Sequence, residues 1–167
     1  VIRADAYGYA CPGDPVQAAE MAYRDAAFTH RRTGIYGTMY VAAAIAAAQV
    51  SDDRLAPFEE ALKVVPRQSR FYQIVSDSFE EVAKAKDWLS GYEAIHNKYG
   101  EYTHCRVYQE IGTLINTLKF AESIGHGFCL QVMQGNDTDS FGATAGSILG
   151  CFFGSGHLVE RWLDPLN

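Results

Sequence analysis

This sequence is short of proline, of paired cysteines, of clustered basic charge and of long apolar runs, and each shortage excludes something. No stretch reaches the roughly 18 apolar residues of a membrane span, so no membrane partner is expected. The four cysteines, Cys11, Cys105, Cys129 and Cys151, stand far apart without a Cys-x-x-Cys pair. That excludes zinc ribbons and dithiol redox motifs. Buried free thiols in a reducing cytoplasm are the expectation instead. Lys and Arg number 14 against 20 Asp and Glu, a net charge of −6. The only basic cluster is His30-Arg31-Arg32. A nucleic-acid surface needs more, so nucleic acid is not an expected partner. Alternating strand patterns are sparse, and no repeat or linker divides the chain, so a single domain over residues 1–167 is expected.

What is present in quantity is alanine, in blocks, and 15 glycines. Alanine is the strongest helix former, and the apolar spacing is helical. Asp14 followed by Pro15 is a helix start. Ala19, Ala22, Tyr23, Ala26 and His30 then share one face. Gly34 and Gly37 bracket a predicted turn. Residues 39–50 are apolar almost all round, which predicts a central buried helix. Ser51-Asp52-Asp53 starts the next helix, which stops before Pro66. Residues 69–86 form an amphipathic helix with Phe71, Ile74, Val75, Phe79 and Val82 inward. Asp87 caps a shorter helix that carries Trp88, Leu89, Tyr92 and Ile95. Helices over residues 107–118, 120–133 and 140–153 follow. The last carries Gly142, Gly146, Gly150 and Gly154 at four-residue spacing, a bare stripe along one side. Each such glycine costs up to about 1 kcal/mol against alanine. Close approach of the 39–50 helix is the expected compensation.

The densest chemical signal is Gly135-Asn136-Asp137-Thr138-Asp139-Ser140. Two carboxylates and a hydroxyl in one turn can converge on a hard cation such as Mg²⁺, which takes oxygen ligands. The same residue types cap helices by accepting bonds from free N–H groups, and spacing alone favours capping. As a metal site the trio is also incomplete and needs ligands from elsewhere. Asp52-Asp53 reads as a cap, since negative charge suits a helix N-terminus. His30 ends the first long helix, where it suits the dipole, just ahead of Gly34-Ile35-Tyr36-Gly37. Backbone N–H groups in a glycine turn can hold phosphate, but the Lys-Ser/Thr ending of a P-loop is missing. No Gly-x-Ser-x-Gly elbow occurs. His96, His104, His126 and His157 share no ligand spacing and read as surface or satisfied core residues. Arg3 and Asp5 read as functional groups or as an ion pair.

Taken in order, these segments resemble the ADP-ribosylglycohydrolase family, which includes the dinitrogenase-reductase-activating glycohydrolases. The resemblance begins with Ile2-Arg3-Ala4-Asp5-Ala6-Tyr7-Gly8-Tyr9 and Pro12-Gly13-Asp14-Pro15. It continues through Tyr23-Arg24-Asp25-Ala26 with Thr29-His30, and through Gly34-Ile35-Tyr36-Gly37. Its most specific piece is the Gly135–Ser140 motif with the glycine-spaced helix behind it, and its weakest stretch is residues 84–106. The resemblance implies an all-α fold, an orthogonal multi-helix bundle, that binds a pair of Mg²⁺ ions, or Mn²⁺ in some members. It implies hydrolysis of the glycosidic bond between ADP-ribose and a protein side chain or a related small conjugate. It places metal ligands at Asp137, Asp139 and Ser140. It places substrate contacts at His30 and, beside it, Gly34, Tyr36 and Gly37. The family's Thr-Asp-Asp motif and catalytic acid precede the matched region, so both are expected upstream of Val1. Residues 1–167 are then expected to be the C-terminal part of a longer domain; a third option is a fragment that leaves apolar faces such as residues 39–50 uncovered and prone to self-association. The alternative expectation is a non-catalytic relative, an ADP-ribose binder or a structural protein of the crystallin kind, on the same scaffold.

Overall fold

A computed structural model describes residues 1–102 and 105–166, the side chains of residues 161 and 166 excepted; His104 lies outside the described residues. Among these residues there is no strand, in agreement with the all-α class expected. In chain order the helices are α1 (Asp5–Ala10), α2 (Pro15–Thr29), α3 (Thr33–Ala48), α4 (Ala56–Leu62) and α5 (Arg70–Lys84). They continue with α6 (Trp88–Tyr99), α7 (Val107–Phe120), α8 (Ile124–Met133), α9 (Thr138–Phe153) and the short α10 (Glu160–Leu163).

The centre is α3, buried without a break from Tyr40 to Ala48. Small side chains let its neighbours close in. Ala18, Ala19, Ala22 and Ala26 form the buried face of α2, which packs on it. Gly8 of α1 comes nearer still: a Cβ there would stand 2.5 Å from the Ile45 Cβ and 2.8 Å from the Ala42 carbonyl oxygen. Tyr40 stacks on Phe58 of α4 at 6.2 Å and meets Phe71 of α5 edge-on at 5.8 Å. Each such aromatic, fully buried, contributes about 1.5–3 kcal/mol. The central buried helix expected over residues 39–50 is therefore observed, and the option that this face lies uncovered is not. Helices α1, α2, α4, α5 and α9 all pack against α3, and only Val50, past its end, is well exposed.

The glycine stripe of α9 also departs from expectation. Gly146 receives the Phe128 ring of α8, 2.6 Å from where a Cβ would stand, while Gly150 meets nothing. The side of α9 turned to the core is Phe141, Thr144, Ala145, Ile148 and Leu149. Close backbone approach to α3 is supplied by α1 at Gly8 instead.

Local chemistry sets the helix ends. Asp14 Oδ1 accepts the Gln17 N–H at 2.9 Å, and Ser69 Oγ accepts the Tyr72 N–H at 3.0 Å. Asp87 and Ser90 form a reciprocal capping box. Asp53 Oδ1 accepts from the Leu55 and Ala56 N–H groups, so one of the two acids caps the segment, and the helix starts at Ala56 rather than at Ser51. Lys119 Nζ donates to the carbonyls of Val82, Ala83 and Ala85, closing the C-terminus of α5.

Other expectations shift. Tyr23 and His30, set on the inward face of α2 by spacing, are exposed. Of the four free cysteines only Cys11 is buried. Arg3 pairs with Asp25 at 3.2 Å rather than with Asp5, whose Oδ2 accepts from Ser147 Oγ. No helix among the described residues is long and apolar enough to cross a membrane.

The packing at α3 makes a paired prediction. Gly8→Ala lowers unfolding free energy by about 1–3 kcal/mol through overpacking, despite alanine's better helix propensity. Gly150→Ala, free of any clash, raises it by up to about 1 kcal/mol. Urea denaturation of both variants checks this, and an undiminished Gly8→Ala protein would refute the close approach.

Candidate functional site

Three chain segments meet around a cleft of about 480 Å³. They are the junction of α2 and α3, the loop and first turn that open α7, and the turn from α8 into α9, with Val1 and Ile2 bordering the cleft as a fourth segment.

The α8–α9 turn is the most heavily supported. Gly135 (φ +75°) and Asn136 (φ +64°) are successive left-handed residues, a conformation that glycine and asparagine tolerate best. Beneath them Gln134 is buried. Its Nε2 donates to Thr117 Oγ1 at 2.8 Å, and its Oε1 accepts from Asn116 Nδ2 at 3.1 Å. Thr117 donates in turn to Gln131 Oε1 at 2.7 Å. This buried network ties the turn to α7, because leaving any member unpaired would cost about 1–3 kcal/mol.

The turn delivers Asp137 to the start of α9, where spacing favours capping. The structure corrects that reading: no side-chain cap bond forms. Only its backbone carbonyl joins the helix, accepting the Phe141 N–H at 3.0 Å. Its carboxylate is left to the cleft, with Oδ2 3.7 Å from the Cys105 thiol. Asp139 is exposed, and its carboxyl is within hydrogen-bonding reach of Asp137's. That contact, with the backbone N–H groups of Asp139 and Ser140, holds Asp139 below the ordinary carboxylate range. Ser140 borders the cleft.

Facing them, Cys105 is held left-handed (φ +63°) and its N–H donates to Glu110 Oε1 at 3.0 Å. Glu110 is only 2% exposed. Burial pushes its pKa up to about 7 and the Asp137 charge adds to the rise, against hydrogen bonds from the Cys105 and Asp137 backbones. Tyr108 completes this wall. Its hydroxyl lies 3.1 Å from Thr33 Oγ1, and the Arg70 guanidinium sits 5.5 Å from its ring centroid.

On the third side His30 ends α2, with its ring Nδ1 2.7 Å from Thr29 Oγ1. Its imidazole rests on the bare first turn of α3, since a Cβ at Gly34 would stand 2.8 Å from His30 Cδ2. The predicted turn from Gly34 to Gly37 is corrected to helix. The Gly34 and Tyr36 N–H groups bond back to the Arg31 and Arg32 carbonyls, so α3 begins at Thr33. No open phosphate-cradling loop exists there. Tyr36 packs against the core, and Gly37 is buried beneath Val1 and Val107.

The cleft thus gathers His30, Gly34, Asp137 and Ser140 from the residues singled out in the sequence, with Asp139 joined through Asp137. Tyr36 and Gly37 do not border it. Sequence reasoning passed over Glu110, Cys105 and Tyr108. Glu110 did carry a signal: it falls on the apolar stripe of Val107, Ile111, Leu114 and Leu118, where an unpaired charge is rare. Cys105 and Tyr108 carried none, because their importance comes from the loop's fold.

Two carboxylates drawn together beside a hydroxyl suit a hard dication, and Mg²⁺ is often held by one or two carboxylates plus water. No set of three or more His, Cys, Asp or Glu side chains among the described residues is arranged to hold an ion. Fold and cleft together describe an all-helical protein with carboxylates and a hydroxyl gathered at the start of α9. The ADP-ribosylglycohydrolase family profile matches residues 1–167, and the chain belongs to that family, whose reaction is hydrolysis of ADP-ribosyl glycosidic bonds. No curated protein and no solved structure matches the chain.

The turn supports a direct prediction. Gly135→Ala meets no neighbour within 4 Å, yet it destabilises by about 1–2 kcal/mol because its φ is left-handed. Gly135→Asn recovers most of that loss. Thermal denaturation of the two variants checks it, and equal midpoints for the alanine variant and wild type would refute it.

Proposed function

We propose that this chain serves a Mg²⁺-dependent hydrolase that cleaves the glycosidic bond between ADP-ribose and a modified protein side chain, or a small ADP-ribose conjugate. One observation carries the reading: Asp137 stands at a helix start without capping it, its carboxylate turned to a cleft that His30 also borders. Asp137, Asp139 and Ser140 would hold the cation, Mn²⁺ being the other candidate. Such an ion would supply Lewis-acid chemistry, orienting ribose hydroxyls and activating water.

The rest falls to the chain's own side chains. Thr29 engages His30 Nδ1, which leaves Nε2 as the ring nitrogen for a phosphate or ribose oxygen. Gly34 keeps the imidazole seated against α3. The Tyr108 ring, fixed by Thr33 and Arg70, supplies an apolar wall for a bulky ligand. Four free cysteines fit a reducing, cytoplasmic setting.

The test uses the protein as naturally encoded, with arginine-, serine- and asparagine-linked ADP-ribosyl proteins as substrates. Mg²⁺ supports release of free ADP-ribose and chelation abolishes it. Asp137→Asn lowers the rate by roughly 100-fold or more while the circular dichroism spectrum is unchanged. Absence of release from every linkage would overturn the reading.

A further inference from the structure

One buried oxygen in the cleft has no partner. Glu110 Oε1 accepts the Cys105 N–H at 3.0 Å and the Asp137 backbone also lies against the carboxyl, but Oε2 is buried and has no hydrogen-bond partner. No Lys, Arg or His among the described residues forms an ion pair with this carboxyl. A buried carboxylate oxygen without a donor is strongly unfavourable. Glu110 borders the cleft with Asp137, so the missing donor belongs to something bound there.

We propose that Glu110 is a positioning residue of the cation site, its Oε2 accepting a hydrogen bond from a water held by the cation at Asp137. The inference rests on the Mg²⁺ reading above. Direct ligation by Glu110 fits less well, since no three carboxylate, histidine or cysteine side chains converge on one point among the described residues. Outer carboxylates that orient the first shell of a metal are common, and their loss typically costs 10–100-fold in affinity. The same carboxylate also shapes the opposite wall. Cys105 is held in a left-handed conformation that non-glycine residues adopt at a cost, and the bond to Glu110 fixes it there, with its thiol 3.7 Å from Asp137 Oδ2. Glu110 thereby sets the spacing between Asp137 and the facing loop.

The experiment is Mn²⁺ titration of the naturally encoded protein, followed by electron paramagnetic resonance, for wild type and Glu110→Gln. Glutamine keeps an acceptor for the Cys105 N–H but puts an N–H₂ in place of Oε2. The expected result is 10–100-fold weaker Mn²⁺ binding with an unchanged thermal midpoint of the metal-free protein. Equal affinity in the two proteins, or a loss that only tracks unfolding, overturns the proposal. Wild-type protein that binds no Mn²⁺ fails differently: it removes the metal reading itself, and this inference with it. Should Glu110→Gln not fold, wild type labelled with carboxyl-¹³C glutamate answers the same question. Glu110 is the only glutamate bordering the cleft among the described residues. One buried glutamate signal must move on addition of Mg²⁺, and a spectrum without such a shift overturns the proposal.

Discussion

Close approach of small side chains to α3 is the constraint on which the site depends. Gly8 and the alanines of α2 bring two helices against α3 nearer than larger residues would allow. That fixes where α2 ends and α3 begins, and so seats His30 on Gly34. The aromatic contacts of Tyr40 with Phe58 and Phe71 fix α4 and α5 on the other side. Arg70, at the start of α5, then reaches the Tyr108 ring. The cleft is made of helix ends whose middles are locked in the core, an arrangement that suits preorganised chemistry.

The cleft draws acidic groups together. Asp137 and Asp139 approach each other, and Glu110 lies close enough for the Asp137 charge to raise its pKa. Backbone N–H groups and the Cys105 thiol offset part of this concentration of acid. None of the ion pairs formed among the described residues involves these three carboxyls, and Arg106 borders the cleft beside them. The surrounding structure must hold these acidic groups in place. The polar network around Gln134 and the left-handed pair Gly135-Asn136 do that holding.

Much of the fold was legible because its signals are local. Asp14, Ser69 and Asp87 cap where their residue types indicate, and the uninterrupted apolar run after Met39 is the buried centre. The Asp137 motif was legible as a candidate site, but whether its side chain caps α9 was not: spacing favours a cap, and no cap bond forms. The Gly34–Gly37 segment was misread as a loop because glycine signals a turn, whereas here it admits the His30 ring beside a helix. The glycine stripe of α9 was assigned the wrong neighbour for a similar reason. Spacing tells which residues share a face, not what packs on it. Glu110 was legible only as an odd charge on an apolar stripe; its neighbours across the cleft lie near residue 137, a relation that only the tertiary fold creates.

The central claim is that the uncapped carboxylate of Asp137 is a cation ligand. Anomalous diffraction from crystals grown in Mn²⁺ tests it most directly. The account predicts a peak about 2.1 Å from an Asp137 carboxylate oxygen, shared with Ser140 or Asp139. A peak elsewhere, with the Asp137 carboxylate turned back onto the N–H groups of α9, would contradict it.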